Sequence, residues 1–365
     1  TNKMNRLSII IRPYTFGDKD NDQGMLDQSK KRIFDAPKIE YTLRTIKSVI
    51  KSCELARNNF KDLKLKIFIT DDRSNDESLS RINKILNITD IETKLININE
   101  NEFINEISST DIKGKEISKN MISNMRNILK SIQIAENDNS DLFYFLEDDY
   151  IHIDEAISEM LFTYEKISSQ LSKELFLCPA DYPYLYSTID NTKLFFGNMR
   201  HWRTVNESLI TFLTSKKMIK KYLDDLKLMG SKRHHPMELK LHKIYEKEYC
   251  LSPIPSLAMH ATNINSIYGL PPNFNWKKIW EENCVDLVTM GCYYKFAQNK
   301  ELKNFLLSTG DRLLVEASPY DAIWGIGIGE LKAKNLPPEQ WPGKNYLGIC
   351  LMNARKMIQD RIKNN

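Results

Sequence analysis

The sequence predicts an α/β fold, a mostly parallel sheet with flanking helices on both faces, followed by a smaller, mainly helical C-terminal domain. Three observations lead to it. Short apolar runs alternate with longer stretches of helical periodicity up to about residue 150. The two most acidic turns fall directly after two of those apolar runs. The pair Pro271-Pro272, which continues neither a helix nor a central strand, separates the alternation from a Trp- and Gly-rich tail. A boundary at that pair divides the chain into domains 1–272 and 273–365.

In chain order, Arg6 to Arg12, with Leu7, Ile9, Ile10 and Ile11, reads as a short buried strand, and a long polar loop with Gly17 and Gly24 then runs to Pro37. A helix follows from about Ile39 to Arg57. Leu65 to Thr70 alternates as a strand and stops in Asp71-Asp72-Arg73-Ser74-Asn75-Asp76, turn formers that also cap a helix from Glu77 onward. Thr93 to Ile98 is a weaker strand, and Met121 to Ala135 has helical periodicity. Leu142 to Leu146 is an apolar strand ending in Glu147-Asp148-Asp149, ahead of a helix near Asp154. Ligands of parallel sheets bind beyond the carboxyl ends of the strands, where both acidic clusters sit.

Composition narrows the function. With 365 residues, 41% of them hydrophobic and 27% charged, the chain has the balance of a globular protein rather than a disordered, collagenous or coiled-coil one. Lys plus Arg number 52 against 48 Asp plus Glu, a surplus of 4 that argues against a dedicated polyanionic partner, so nucleic acid is not indicated. Cys53, Cys178, Cys250, Cys284, Cys292 and Cys350 show neither C-x-x-C spacing nor the density of a disulfide framework, and read as reduced thiols. No apolar run approaches the roughly 18 residues of a membrane span, so no integral membrane segment is expected and the chain reads as cytoplasmic. It starts at Thr1 without Met, which allows for an upstream segment. All six histidines precede Pro271-Pro272, so His chemistry belongs to the first domain.

Three consecutive acids after a buried strand raise one another's pKa unless a cation relieves them. Mg²⁺ or Mn²⁺ would do so and commonly bridges carboxylates to phosphates, which suits a nucleotide diphosphate. Alternate residues at a strand end point the same way, so Glu147 and Asp149 are expected to converge while Asp148 faces elsewhere. A solvated strand end capping the next helix is the competing reading.

Residues 6 to 270 resemble a nucleotide-sugar glycosyltransferase of the GT-A fold, close to the family-2 type. The motifs are Leu7-Ser8-Ile9-Ile10-Ile11-Arg12, Ile69-Thr70-Asp71-Asp72-Arg73-Ser74-Asn75-Asp76, Met125-Arg126-Asn127 and Phe143-Tyr144-Phe145-Leu146-Glu147-Asp148-Asp149. The resemblance implies a Rossmann-like sheet, a nucleotide-diphosphate sugar donor, inversion at the anomeric carbon and Mn²⁺ or Mg²⁺. The family's acidic pair after the second strand contacts the base and ribose, a role that falls to Asp72 with Asp71 beside it. Arg12, Arg126 and Asp148 complete the expected donor contacts. The family's metal-holding Asp-x-Asp corresponds to Glu147, Asp148 and Asp149, with Glu147 and Asp149 as ligands and His260 as a further one. His260 reads equally as a packed, hydrogen-bonded histidine. Glu238, in Arg233-His234-His235-Pro236-Met237-Glu238-Leu239, stands where the family carries its acidic base, or is a first-turn residue favoured by the helix dipole. In Arg200-His201-Trp202-Arg203-Thr204, Trp202 stacks on a sugar and Arg203 faces phosphate, or Trp202 belongs to the core. Arg73-Ser74 replaces the family's usual Gly-Ser.

The tail resembles a different family. Residues 276 to 358 are similar to the C-terminal half of NADAR domains, N-glycosidases of ADP-ribose or riboflavin-pathway intermediates. The matching residues include Lys295-Phe296, Phe305-Leu306-Leu307-Ser308-Thr309-Gly310-Asp311, Val315-Glu316-Ala317-Ser318-Pro319-Tyr320-Asp321-Ala322-Ile323-Trp324-Gly325-Ile326-Gly327, Trp341-Pro342-Gly343-Lys344-Asn345-Tyr346-Leu347-Gly348, Leu351-Met352 and Arg355. Asp321 and Trp324 would polarise and stack on a ribosyl-base unit. The family's N-terminal half, with its catalytic Glu, has no counterpart. Half a domain exposes apolar surface unless it packs on the first domain, pairs with another copy or was joined by gene truncation, so a homo-oligomer is one of the outcomes it allows. The main expectation is a glycosyltransferase with an unidentified acceptor. Its rivals are an N-glycosidase acting through Asp321 and Trp324, and a non-catalytic nucleotide-binding scaffold.

Overall fold

The alternating apolar runs of the N-terminal part form a four-stranded parallel core, because each of the first three strands is followed by a helix long enough to cross back over the sheet. The computed structural model describes residues 5–14, 36–182, 185–186, 190–261 and 276–363. The expected loop with Gly17 and Gly24 and the Pro271-Pro272 pair lie outside the described residues. The chain divides into two compact units, Thr1–Pro272 and Asn273–Asn365.

In the first unit, β1 (Arg6–Arg12), α1 (Lys38–Asn59), β2 (Lys64–Asp71), α2 (Asp76–Leu86), β3 (Glu92–Asn97), α3 (Lys119–Asn137) and β4 (Leu142–Glu147) follow the expected order. Then come β5 (Tyr150–His152), α4 (Ala156–Leu171), β6 (Leu175–Leu177), β7 (Leu194–Phe196), β8 (His201–Thr204) and β9 (Phe212–Ser215). The unit continues with α5 (Lys216–Lys221), α6 (Leu223–Ser231), α7 (Leu239–Tyr245), β10 (Tyr249–Ile254) and β11 (Ala258–His260). The main sheet has the order β3-β2-β1-β4-β9-β6-β10-β8-β7. Strands β8 and β9 run against the other seven, so the sheet is mostly parallel. A separate two-stranded ribbon pairs β11 with β5, antiparallel.

The two-residue period of β1 assigns its side chains to two cores. Leu7, Ile9 and Ile11 pack with α1, α2 and α4, whereas Ile10 joins Phe68, Phe143 and Phe145 against α3, α6 and α7. Asn75 accepts from the Ser78 amide and Ser118 from the Met121 amide, capping α2 and α3. The helix expected near Asp154 begins at Ala156, and Asp154 instead pairs with Lys51. At the α3–α6 crossing, a Cβ on Gly230 would stand 2.8 Å from the Met125 carbonyl oxygen and 2.7 Å from Leu129 Cγ. Gly230→Ala is therefore expected to cost about 1–3 kcal/mol, read as a lower urea midpoint with unchanged slope.

The second unit comprises α8 (Trp276–Gln298), α9 (Lys300–Ser308), α10 (Glu330–Ala333), a 3₁₀ turn at Pro338–Gln340 and α11 (Tyr346–Lys363). Asn299 caps α9 through the amides of Glu301 and Leu302, and Cys350 on α11 reaches the Val285 carbonyl on α8. A Cβ on Gly348 would meet the Leu314 carbonyl oxygen at 2.1 Å, so glycine is needed where the non-helical segment crosses α11.

Candidate functional site

Strand β1 lies between β2 and β4, with Ile11 paired to both Ile69 and Leu146 and Arg12 opposite Glu147. The turns leaving β2 and β4 therefore meet over the carboxyl end of β1. Seven charged side chains are buried there: Arg12, Lys38, Asp71, Asp72, Arg126, Asp148 and Asp149.

On the β2 side, Asp71 Oδ2 accepts from the Ser74 amide at 3.1 Å. Arg73 holds this turn at φ 73°, the left-handed region that favours the glycine of the Gly-Ser pattern, so the turn persists with an arginine in its place. Asp72 Oδ2 accepts from Arg126 Nη1 at 2.7 Å, with Arg73 Nε 3.8 Å from the other oxygen. The neighbouring Asn127 donates to the Thr70 and Pro13 carbonyls, tying α3 to the ends of β1 and β2. Burial raises the pKa of Asp71, with Asp72 and Asp148 adding to the effect against the Ser74 hydrogen bonds. Asp71 Oδ1, Asp72 Oδ1, Arg12 Nε and Arg126 Nε are buried without a hydrogen-bond partner among the described residues. Such groups are costly in a native structure unless water or a polar ligand satisfies them.

On the β4 side the expected convergence of Glu147 and Asp149 does not occur. β4 ends at Glu147 and the chain turns through Asp148-Asp149, which breaks the two-residue alternation. Asp148 and Asp149 come together instead around Lys38, whose Nζ lies 2.7 Å from Asp148 Oδ1 and 3.3 Å from Asp149 Oδ2. Asp148 Oδ2 also accepts from the Tyr14 amide at 2.9 Å and Thr42 Oγ1 at 2.6 Å. Glu147 accepts from Thr211 Oγ1 and lies 3.6 Å from Arg12. His260 does reach Asp149, Nε2 to Oδ1 at 3.4 Å, and its ring stacks on Tyr150 at 4.4 Å across the β5–β11 ribbon.

Of the three expected metal ligands, Asp149 and His260 are thus adjacent and Glu147 is apart. No group of three or more His, Cys, Asp or Glu is placed to hold a metal ion among the described residues. With Lys38 between the two aspartates, the residues as arranged do not fit Mn²⁺ or Mg²⁺.

Glu238 stands at the N-cap of α7, the helix end where the dipole favours a negative charge, and makes no side-chain capping bond. It is 6% exposed. Burial pushes its pKa up to about 7, with Glu147 adding to the rise and Arg12 and Arg233 opposing it. Arg12 is itself lowered by burial, partly offset by Glu147, Asp148, Glu238 and Asp149, and it donates to the Ile210 carbonyl. A carboxyl group titrating near neutrality beside a buried guanidinium has the properties of a general base.

Trp202 is fully buried and donates from Nε1 to Glu159, so it belongs to the core. Arg203 is held by Asp181 at 2.7 Å under the Tyr186 ring. Next to them a cavity of about 260 Å³ is lined by Asp181, Tyr182, Ser256, Met259 and His260, among others. Sequence reasoning missed Lys38, Thr42, Tyr14, Asp181 and Tyr182. Lys38 alone carried a signal, because a lysine on the first residue of a helix opposes the helix dipole and needs nearby acids.

In the second unit, Asp321 Oδ1 accepts from the amides of Ile323 and Trp324, both at 2.8 Å, and these bonds hold its pKa low. The carboxylate thus builds its own turn. Trp324 packs between Trp280 and Tyr346, with ring centroids at 6.3 and 5.9 Å.

Residues 231–359 match the NADAR domain family, a span that reaches back into the first unit. Over 87 residues the chain is 50% identical to N-glycosidase R617 of Acanthamoeba polyphaga mimivirus, covering 24% of this chain and 51% of that protein. Over 84 residues it is 36% identical to Protein irg-1 of Caenorhabditis elegans, covering 23% of this chain and 40% of that protein. It is also 31% identical over 84 residues to N-glycosidase Npun_R5314 of Nostoc punctiforme, covering 23% of this chain and 47% of that protein. The chain spans about half the length of these relatives. Among solved structures, it is similar to S. aureus TarS, with TM-score 0.34 and 10% identity over 68% of this chain and 36% of that one. It is also similar to UDP-glucose pyrophosphorylase complexed with UDP-glucose, with TM-score 0.37 and 8% identity over 72% of this chain and 95% of that one. Among the described residues, no helix is long and apolar enough to cross a membrane.

Proposed function

We propose that the first unit is a transferase that binds a nucleotide-diphosphate sugar at the carboxyl ends of β1, β2 and β4 and passes the sugar to an acceptor hydroxyl with inversion. The observation that carries this reading is the buried set Asp71, Asp72, Arg12 and Arg126, in which two carboxylate oxygens and two guanidinium nitrogens lack hydrogen-bond partners among the described residues. Carboxylates suit ribose hydroxyls and the N–H groups of a base, and guanidinium groups suit phosphate. The acceptor oxygen bonds to the anomeric carbon, whose bond to the diphosphate oxygen breaks, and the nucleoside diphosphate leaves with the electron pair. Glu238 takes the acceptor proton, and the buried guanidinium of Arg12 beside it stabilises the ionised form before transfer.

The reading is tested by thermal shift with UDP-, GDP- and dTDP-sugars. One of them is expected to raise the melting temperature of the wild type by mass action. Asp72→Asn should lose that rise, and an equal rise in the variant would remove Asp72 from the donor site.

A second reading is favoured by the NADAR match: N-glycoside hydrolysis of a ribosyl nucleotide by the second unit. Asp321 Oδ1 is bound to its own turn, and in this reading Asp321 positions Trp324 through that turn. Release of a free ribosyl product from ADP-ribose, lost in Asp321→Ala, is its expected result. No turnover of any ribosyl nucleotide would remove it. Tight nucleotide binding with neither activity would favour a scaffold.

A further inference from the structure

The buried turn Asp148-Asp149 is already neutralised by the protein itself. Lys38 Nζ stands 2.7 Å from Asp148 Oδ1 and 3.3 Å from Asp149 Oδ2, and the three side chains are 6%, 5% and 9% exposed. A divalent ion bound between those two oxygens would sit about 2.1 Å from each. That point falls within the space the ammonium fills, and two cations so close in a buried site repel strongly. The other Asp148 oxygen is occupied by the Tyr14 amide and the Thr42 hydroxyl, which fix the carboxylate facing the lysine. Lys38 is also the first residue of α1, where the helix dipole disfavours a positive charge. Without the aspartates this buried position would be poor for lysine, and without the lysine the adjacent buried aspartates would repel.

The geometry points to Lys38 as the resident cation of the site: its ammonium fills the place between Asp148 and Asp149 that a divalent ion would otherwise take, so ligand binding there needs no metal. Lys38 is a positioning residue in this scheme, since it acts through the two carboxylates. The inference rests on the transferase reading only for the identity of the ligand. The occupancy of the cation position stands separately.

The test uses the full chain and Mn²⁺ alone, with free Mn²⁺ followed by electron paramagnetic resonance up to about 1 mM. The wild type and Lys38→Arg are expected to leave Mn²⁺ free. Lys38→Met, which vacates the position at similar volume, should bind one equivalent, and Lys38→Met/Asp149→Asn should lose it. A purely structural lysine would not create a metal site on removal. Stoichiometric Mn²⁺ binding by the wild type that disappears in Asp149→Asn would overturn the proposal, and so would a folded Lys38→Met that binds none. Should Lys38→Met fail to fold, Lys38→Gln takes its place, and wild type against Asp149→Asn can still overturn the proposal.

A parallel thermal shift with UDP, in EDTA and in Mn²⁺, separates the two ideas. Equal shifts support metal-free binding, and a shift that EDTA abolishes overturns it. If neither UDP nor the sugar nucleotides shift the wild type, the transferase reading fails while the Mn²⁺ result stands.

Discussion

Glu238→Gln is expected to lower sugar transfer by about 10²- to 10⁴-fold while making the protein more stable above neutral pH. The activity loss is that of a general base removed from the transition state. The stability gain follows from linkage. The Glu238 carboxyl is raised from 4.5 to about 7 in the fold, chiefly by burial, so between those pH values the native state holds a proton that the unfolded chain has released. Stability then falls as pH rises through that window, by about 3 kcal/mol once it is crossed. Glutamine keeps the shape without the charge. Urea unfolding of the two proteins should therefore coincide near pH 4.5 and diverge in favour of the variant by pH 8. The wild-type rate should climb with pH to a plateau above about 7. Parallel stability curves for the two proteins would show that the carboxyl is not buried as described.

Arg126→Met is expected to destabilise the first unit by about 3 kcal/mol and to abolish the nucleotide-induced shift. The Asp72 side chain is 1% exposed and its Oδ2 depends on Arg126 at 2.7 Å, so removing the guanidinium leaves a buried charge short of compensation. Arg73 Nε, 3.8 Å from Asp72 Oδ1, offsets part of the cost, which places the effect at the low end for a broken buried pair. The double variant Asp72→Asn/Arg126→Met removes both charges and should recover much of the loss. A double-mutant cycle in urea is expected to give a coupling of about 1–3 kcal/mol. Strict additivity of the two single changes would show that the pair is not coupled.

Much of the fold's first half could be read from local patterns. The strand at Arg6–Arg12 has the bounds expected of it, and α1, β2, α2, β3, α3 and β4 lie within a few residues of the stretches that predict them. Their signals are local: apolar period, turn formers and capping residues act over a few positions. After residue 150 the strands are three to six residues long, and, apart from the local β7–β8 hairpin, β6 to β10 are ordered in the sheet by partners distant in sequence. Segments so short carry too few positions for a period to show.

The sequence by itself determined that two acidic turns would end strands of a parallel sheet, and that the tail would be a separate, mainly helical unit similar to half of another family. Only the tertiary structure decided what those acids do. Lys38 and Asp149 are 111 residues apart, and no spacing rule links them. The turn after β4 breaks the alternation on which the pairing of Glu147 with Asp149 was expected to rest. Glu238 acquires its pKa chiefly from burial, with the charges of Glu147 on β4 and Arg12 on β1 acting on it through space. Trp202 and Arg203 turn to the core and to Asp181 because β8 is an interior strand of the sheet, between β10 and β7. Secondary structure follows from near neighbours along the chain, whereas the charge and solvation of a buried group follow from whatever the fold brings within a few ångströms of it.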